Sequence, residues 1–378
     1  MQDQETLSMT GSIGEVFAVG PSPKNVARKR VYIVSNGCPE NRMDAALVGR
    51  CLADEHECEI VHECETADVI LVLGCAVTKH MESESRELIE HLCSIKRPDT
   101  KLVVAGCLSK VKALLGEALD ETEVPLITTC ESVRHNRTAE TLSVNFPQQP
   151  NRQVASFLAR QKKQAITRYA GKAVGRGLST LSAALYAPVY HCIHGYKQFF
   201  ESRLRVDAPG TFCIKACTGC RGQCSYCTIR LARGTIKSKS IDQVLTEFRR
   251  GLDEGYQDFA LLGTDLGDYG SDLGLDLIDL LERIVALDGE FRVRLRNVNP
   301  RWLIPSHTRL SDVLASGKIT YLMSPVQSGS DRILELMNRG YRAGDFMDAA
   351  GEVRQFAPKL VMKTEIIVGF PTETDADF

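Results

Sequence analysis

Cys217-Thr-Gly-Cys220-Arg-Gly-Gln-Cys224-Ser-Tyr-Cys227 carries a C-x3-C-x2-C spacing at Cys220, Cys224 and Cys227. Three thiolates on one tight loop can hold three irons of a four-iron cluster. The fourth iron then has no protein ligand, and a small molecule can bind there and receive an electron. Two rivals share the stretch. Cys217 with Cys220 and Cys224 with Cys227 form two C-x2-C pairs, as in a four-cysteine zinc site, although three residues between the pairs would crowd a tetrahedron. A closed four-cysteine electron-transfer cluster is the second rival. Tyr226 favours neither, and its ring could lie beside a bound adenine.

The segments that follow alternate in pattern. Thr211–Lys215, Phe259–Leu262, Arg292–Leu295, Ile319–Met323 and Leu360–Val368 read as strands. Ile241–Leu252, Leu275–Leu287, Asp331–Met337 and Asp345–Gln355 read as helices between them. Five β/α units with reactive residues at strand ends fit a full or partial β/α barrel over residues 209–378.

The same alternation occupies residues 30–150. Strands are expected at Val31–Ser35, Val69–Leu73 and Leu102–Ala105, and helices at Met43–Leu52, Glu82–Cys93 and Val111–Ala118. This pattern predicts a parallel α/β layer of the Rossmann or flavodoxin type. Each strand runs into a glycine-cysteine pair: Gly37-Cys38, Gly74-Cys75 and Gly106-Cys107. Ligand sites of open parallel sheets form outside the carboxyl ends of strands, so three distant cysteines can converge there. The bland alternative is three small buried residues, a common role for cysteine. Their shared context favours ligands.

Composition sets the bounds. The chain has 378 residues, enough for two cores, and a formal net charge of −2, so no global field marks a nucleic-acid binder. It holds 14 cysteines, and its first thirty residues lack a basic stretch followed by an apolar one. No signal peptide is evident, and tightly spaced cysteines then read as metal or redox ligands in a reducing cytosol. Residues 1–29 are polar and punctuated by Gly, Ser and Pro, which predicts a loose tail. Residues 151–208 form a separate, Ala-rich and basic linker. Within it, 177–196 contains no Asp, Glu, Lys or Arg. Gly177, Ser179, Thr180, Ser182, Pro188, His191 and His194 make that stretch a poor membrane span. An RNA- or surface-contacting hairpin and an ordinary solvated helical insertion are the other readings. No membrane association is expected.

The loop Cys220–Cys227 with Ala232-Arg233-Gly234 resembles the cofactor loop of the radical S-adenosylmethionine methylthiotransferases. Gly37-Cys38-Pro-Glu-Asn41-Arg-Met-Asp44, Gly74-Cys75-Ala76-Val77 and Gly106-Cys107-Leu108 are similar to that family's three N-terminal cysteine motifs. Leu262-Gly263 through Tyr269-Gly270, Pro325 through Asp331, Met337 through Tyr341 and Thr364 through Glu373 are similar to its barrel motifs. The resemblance covers residues 30–145 and 210–378. It departs at Leu73-Gly74, where the family has Asn-Thr before the second cysteine, at the longer insertion and at the extra Cys217. It also implies a further β/α unit and a small RNA-binding domain, TRAM, so the chain reads as ending short of both.

The resemblance implies two 4Fe–4S clusters and S-adenosyl-L-methionine. Cys220, Cys224 and Cys227 would hold the cluster that binds and cleaves S-adenosylmethionine, giving a radical that removes a hydrogen from carbon. Cys38, Cys75 and Cys107 would hold a second cluster carrying the sulfur to be inserted, and a second S-adenosylmethionine would supply the methyl group. Gly263 is a candidate for close backbone approach to the methionine part. Gln327 and Ser328 are candidates for the ribose or amino acid, and Tyr226 and Val368 for the adenine. Arg233 is either an ion-pair partner or a substrate or cofactor contact. The implied partners are a reducing electron donor and either tRNA, modified at threonylcarbamoyl-adenosine beside the anticodon, or a ribosomal protein or other peptide. A radical enzyme of other chemistry and a non-catalytic iron–sulfur module stay open. Catalytic side chains and oligomeric state are not legible.

Overall fold

The computed structural model describes residues 10–12, 28–115, 126–129 and 210–378. The linker 151–208, with its three readings, lies outside the described residues.

The N-terminal unit comprises β1 (Thr10–Ser12), β2 (Arg30–Ser35), α1 (Pro39–Glu55), β3 (Glu59–Val61), β4 (Val69–Gly74), α2 (Lys79–Ile95), β5 (Lys101–Gly106), α3 (Cys107–Leu115) and β6 (Leu126–Thr129). The sheet is parallel, in the order β1-β6-β5-β4-β2-β3. β4 is central, and every residue of Val69–Gly74 is buried, which explains its unbroken apolar run. Pro39 opens α1, where its missing N–H costs nothing, and the Thr78 hydroxyl caps α2 by accepting from Met81 N–H at 3.2 Å. β1 lies inside the stretch expected as a loose tail and pairs with β6. β3 and β6 are too short to show an alternation in the sequence.

The second unit runs β7 (Thr211–Lys215), β8 (Cys217–Thr218), α4 (Ile229–Arg233), β9 (Lys237–Ser238), α5 (Ile241–Asp253), β10 (Asp258–Leu262), α6 (Leu277–Val285), β11 (Arg292–Leu295), α7 (Pro300–Ala315), β12 (Ile319–Met323), α8 (Asp331–Leu336), α9 (Ala343–Phe356) and β13 (Val361–Lys363). Its main sheet is parallel, in the order β13-β12-β11-β10-β7, a partial barrel wound steadily in one direction. The expected last strand is shorter than its apolar run. It ends at Lys363, and only the isolated Gln327–Ile366 bridge continues the pairing. α7 is absent from the sequence reading because Pro300 and Pro305 both look like breakers. Pro300 sits in the first turn, Asn299 caps it, and Leu303, Leu310, Val313 and Leu314 bury one face despite the internal Pro305.

The outer core of the barrel is aromatic. Phe248 of α5 stacks on Phe259 of β10 with ring centroids 3.9 Å apart, and Phe291 meets Phe248 edge-on at 4.9 Å. The inner face is different. Cys213, Ala260, Leu262, Tyr321 and Met323 pack there against Met43, with Leu47 beside them. Helix α1 of the first unit therefore covers the inside of the second unit's sheet.

Phe248 is fully buried, so Phe248→Ala leaves a cavity between α5 and the sheet. We expect a loss of about 3–5 kcal/mol in a urea titration of the chain.

Candidate active site

Two glycine-cysteine strand ends lie side by side, since Gly74 of β4 is paired in register with Gly106 of β5. On the other flank of β4, Ser35 of β2 pairs with Leu73, which brings the third end alongside. The glycines allow this crowding. A Cβ on Gly37 would fall 2.2 Å from Asn41 Nδ2, and one on Gly74 would fall 2.9 Å from Leu108 Cδ2. Gly106 also has φ +89°, a conformation that favours glycine. Asn41 Nδ2 donates to the carbonyls of Leu73 (3.2 Å) and Gly74 (3.3 Å), fastening the first motif to the second. The Cys75 N–H donates to Ser85 Oγ at 2.9 Å.

These contacts bring Cys38, Cys75 and Cys107 within electrostatic reach of one another. Cys38 is the residue before α1, and Cys107 is the first residue of α3. Helix N-termini favour thiolates. Burial opposes this, pushing the Cys107 thiol up to about 11 and raising that of Cys75. A countercharge or metal is therefore needed to hold them ionised.

The second cysteine set sits on a loop closed at its base. β8 and β9 form a two-residue antiparallel ribbon, and the Cys220 N–H donates to Gly234 O at 3.1 Å. Gly219 has φ +83°, and a Cβ there would lie 2.0 Å from Thr235 O. Outer hydrogen bonds hold the tip to the segment after α8: Ser225 N–H to Met337 O (3.1 Å) and Asn338 Nδ2 to Gln223 O (2.9 Å). The Gly222 N–H donates to Cys220 Sγ at 3.1 Å, and Arg339 Nη1 donates to Cys224 Sγ at 3.3 Å. Arg339 is itself clamped, donating to Pro325 O at 2.9 Å and to Tyr341 OH at 2.8 Å. Burial, with Asp265 beside it, pushes the Cys220 thiol up to about 11, and burial raises that of Cys227.

Cys217 does not join this set. It is buried in the outer core, and its thiol faces the carbonyl of Asp265 at 3.6 Å. A Cβ on Gly263 would lie 2.6 Å from Cys217 Sγ, which explains the glycine by packing. Both four-cysteine rivals need Cys217 at the loop, and it points instead into the barrel wall. Among the described residues, no three His, Cys, Asp or Glu side chains are arranged to hold a single metal ion. A cluster spaces its thiolates more widely than one ion does, because each sulfur meets a different iron.

The remaining candidates line the carboxyl ends of the barrel strands. Gln327 follows β12 with φ +77°, a strained conformation for a residue with a side chain, held by the Glu365 carbonyl (2.9 Å) and the Ile367 N–H (2.8 Å). Ser328 is buried, and its Oγ accepts from the Ser330 N–H at 3.1 Å. Val368 is 66% exposed beyond β13. Tyr226 meets Phe370 edge-on at 6.5 Å, and its hydroxyl accepts from Arg339 Nη1 at 3.3 Å.

The two sets are joined by charge. Asp44 of α1, six residues after Cys38, is held by Lys215 of β7 at 2.5 Å and by Arg233 at the end of α4. Next to it, Glu40 accepts from Thr264 Oγ1 (3.0 Å) and Asn297 Nδ2 (3.3 Å) of the barrel. The Thr228 hydroxyl donates to Ala76 O at 3.5 Å, so the residue after Cys227 touches the residue after Cys75.

A model described as the radical SAM superfamily matches residues 214–378, and one described as uncharacterized protein family UPF0004 matches residues 30–129. A probable threonylcarbamoyladenosine tRNA methylthiotransferase of Archaeoglobus fulgidus is 30% identical over 92% of this chain and 71% of its own length. The chain belongs to the radical S-adenosylmethionine methylthiotransferase family. The threonylcarbamoyladenosine tRNA methylthiotransferase MtaB of Thermotoga maritima is also 30% identical, over 93% of this chain and 70% of its own. Among solved structures, the radical S-adenosylmethionine methyltransferase TsrM of Kitasatospora setae shares the fold, with a TM-score of 0.56 and 13% identity over 93% of this chain and 71% of that one. As a radical methylthiotransferase, the protein is an enzyme that uses a 4Fe–4S cluster with S-adenosylmethionine. No described helix is long and apolar enough to cross a membrane.

Asn41, Ser85, Asp44, Lys215 and Arg339 are absent from the sequence reading as functional residues. Asn41 and Asp44 lie inside the first cysteine motif, and Arg339 inside Met337–Tyr341, so their motifs were visible while their partners were not.

Burial pushes the Asp44 carboxyl up, but Arg233 and Lys215 outweigh it and hold it at about 2. A depressed folded-state value stabilises the fold above the unfolded value and loses that contribution as pH falls through the folded one. About 2 kcal/mol should therefore fade between about pH 4 and pH 2. In Asp44→Asn that portion of the acid unfolding curve, followed by circular dichroism, should be missing.

Proposed function

We propose that this enzyme inserts a methylthio group at a C–H position of threonylcarbamoyl-adenosine beside the anticodon of tRNA. The observation that carries this reading is the pair of three-cysteine sets, one local and one assembled from three strand ends, on adjoining elements. The substrate assignment draws on the relatives named above.

Both sets fit clusters by their chemistry. At the loop, the Gly222 N–H and Arg339 already donate to sulfur, as donors around an iron–sulfur cluster do. At the strand ends, Arg233 Nη2 is buried with no hydrogen-bond partner among the described residues, a donor suited to an anion beside Cys38, Cys75 and Cys107. Cys220, Cys224 and Cys227 hold the first cluster, and Cys38, Cys75 and Cys107 hold the second. When bound, the first with S-adenosylmethionine supplies a radical able to take hydrogen from carbon, and the second supplies sulfur.

The chain's own residues do the rest. The loop's closed base fixes Cys220 relative to Asp265, which Arg301 (3.0 Å) and Trp302 (3.2 Å) orient. Arg339 orders Cys224 and Tyr226 together, setting the Tyr226 ring for the adenine, and Val368 serves the same part of the cofactor. Gln327 and Ser328 serve the ribose or amino acid, and the backbone of Gly263 adjoins the methionine part. Helix α1 keeps water from the inner barrel face and holds the two sets in register.

Anaerobically reconstituted protein should bind about eight irons, and each triple Cys→Ala variant about four. With reductant and S-adenosylmethionine, the protein should release 5′-deoxyadenosine and convert threonylcarbamoyl-adenosine in tRNA to its 2-methylthio form, read by nucleoside mass spectrometry. Full iron with no 5′-deoxyadenosine would leave only a cluster-binding module. 5′-Deoxyadenosine with methylthiolated ribosomal protein and unchanged tRNA would reassign the substrate.

A further inference from the structure

The short helix that follows the Cys220–Cys227 loop ends inside the other domain's cysteine site. Ala232 packs in one apolar group with Ala76, Cys107 and Leu108. The next residue, Arg233, carries a guanidinium that lies within electrostatic reach of Cys38, Cys75 and Cys107. Its Nη1 is held by Asp44. Its Nη2 is buried and has no hydrogen-bond partner among the described residues.

Asp44 and Glu40 face Lys215, Arg233 and Arg296, and Glu84 of α2 acts on Cys75, so carboxylates and cations are even in number and the unmet donor is the feature left over. A buried guanidinium donor without an acceptor is costly to keep. A negatively charged group beside the three sulfurs would satisfy that donor.

We propose that Arg233 is a positioning residue of the N-terminal sulfur site, supplied by the barrel. Its Nη2 donates to a sulfur of the cluster held by Cys38, Cys75 and Cys107, and its charge offsets that cluster's negative charge. This rests on the two-cluster reading above. It follows that the N-terminal domain carries the ligands while the barrel domain carries their countercharge, so loading of the strand-end site depends on how the domains dock.

The test uses the full chain with Cys220, Cys224 and Cys227 replaced by Ala, so that only the strand-end site can load. This parent and its Arg233→Met, Arg233→Lys and Asp44→Asn/Arg233→Met derivatives are reconstituted with ferrous iron and sulfide. Cluster content, the rate of iron release to a chelator and the midpoint potential are then measured. Arg233→Met should release iron about 10-fold faster or more and show a more negative midpoint potential, because lost positive charge disfavours the reduced state. Arg233→Lys should recover part of both. The double variant also removes the carboxylate that has lost one of its two cations and should not recover either. If Arg233→Met matches the parent, or the double variant regains the parent's release rate and potential, Arg233 is only an ion-pair partner and the inference fails. If the parent itself binds no iron, the two-cluster reading falls and takes this inference with it. In the converse background, with Cys38, Cys75 and Cys107 replaced, Arg233→Met should leave loop-cluster content unchanged. An equal loss there would show general unfolding and would also overturn the proposal.

Discussion

Asp44 is buried where the two domains meet, and it is tolerable there only because both of its cations come from the other domain. An unpaired carboxylate at that depth would be strongly destabilising, whereas the paired one is held far below its usual range. The ion triad therefore works less as glue than as an address. In this docking of α1 on the barrel, Lys215 and Arg233 meet on the same carboxylate. Met43, one residue earlier, reaches the inner sheet face in that same docking.

From that docking the relation of the two cysteine sets follows. The first motif, running from Cys38 to Asp44, contains a proposed ligand at one end and the interdomain anchor at the other. The loop motif has the same construction, with Cys227 near its start and Arg233 at the end of the helix it launches. Each sulfur set is thus chained to the other by one turn or so of helix and one ion pair. Sulfur transfer between two centres needs a fixed separation, and such short rigid connections provide it better than a flexible linker would.

Much of this was legible in the sequence, for identifiable reasons. The central strands of both sheets announced themselves by apolar runs, and Thr211–Lys215, Arg292–Leu295 and Ile319–Met323 match their expected bounds to the residue. The glycine before each N-terminal cysteine pointed to strand ends, and the pairing of Gly74 with Gly106 brings two of those ends together. What escaped was non-local or counter to propensity. Helix α7 hid behind two prolines that its cap and buried face override. β3 and β6 are too short to carry a period. The last strand looked longer than it is, because the apolar residues Ile366 and Val368 continue past the point where pairing stops and stay exposed. Asn41 and Asp44 sit within a visible motif, yet their importance lies in partners far away along the chain. Gly263 was legible as a place of close backbone approach, but the thiol of Cys217 behind it, a second reason for the glycine, was not.

The ribbon of Cys217–Thr218 against Lys237–Ser238 closes the base of the cysteine loop with backbone hydrogen bonds. Its ends are tied by the backbone bond from Cys220 to Gly234, and its tip is pinned to the turn after α8. Small zinc modules are different, because their chains collapse around the ion and fall apart when it is stripped. Here the ordering entropy is met by the barrel itself. The contacts that shape this loop's backbone are thus distinct from the thiols that would bind metal, and losing the metal removes none of them.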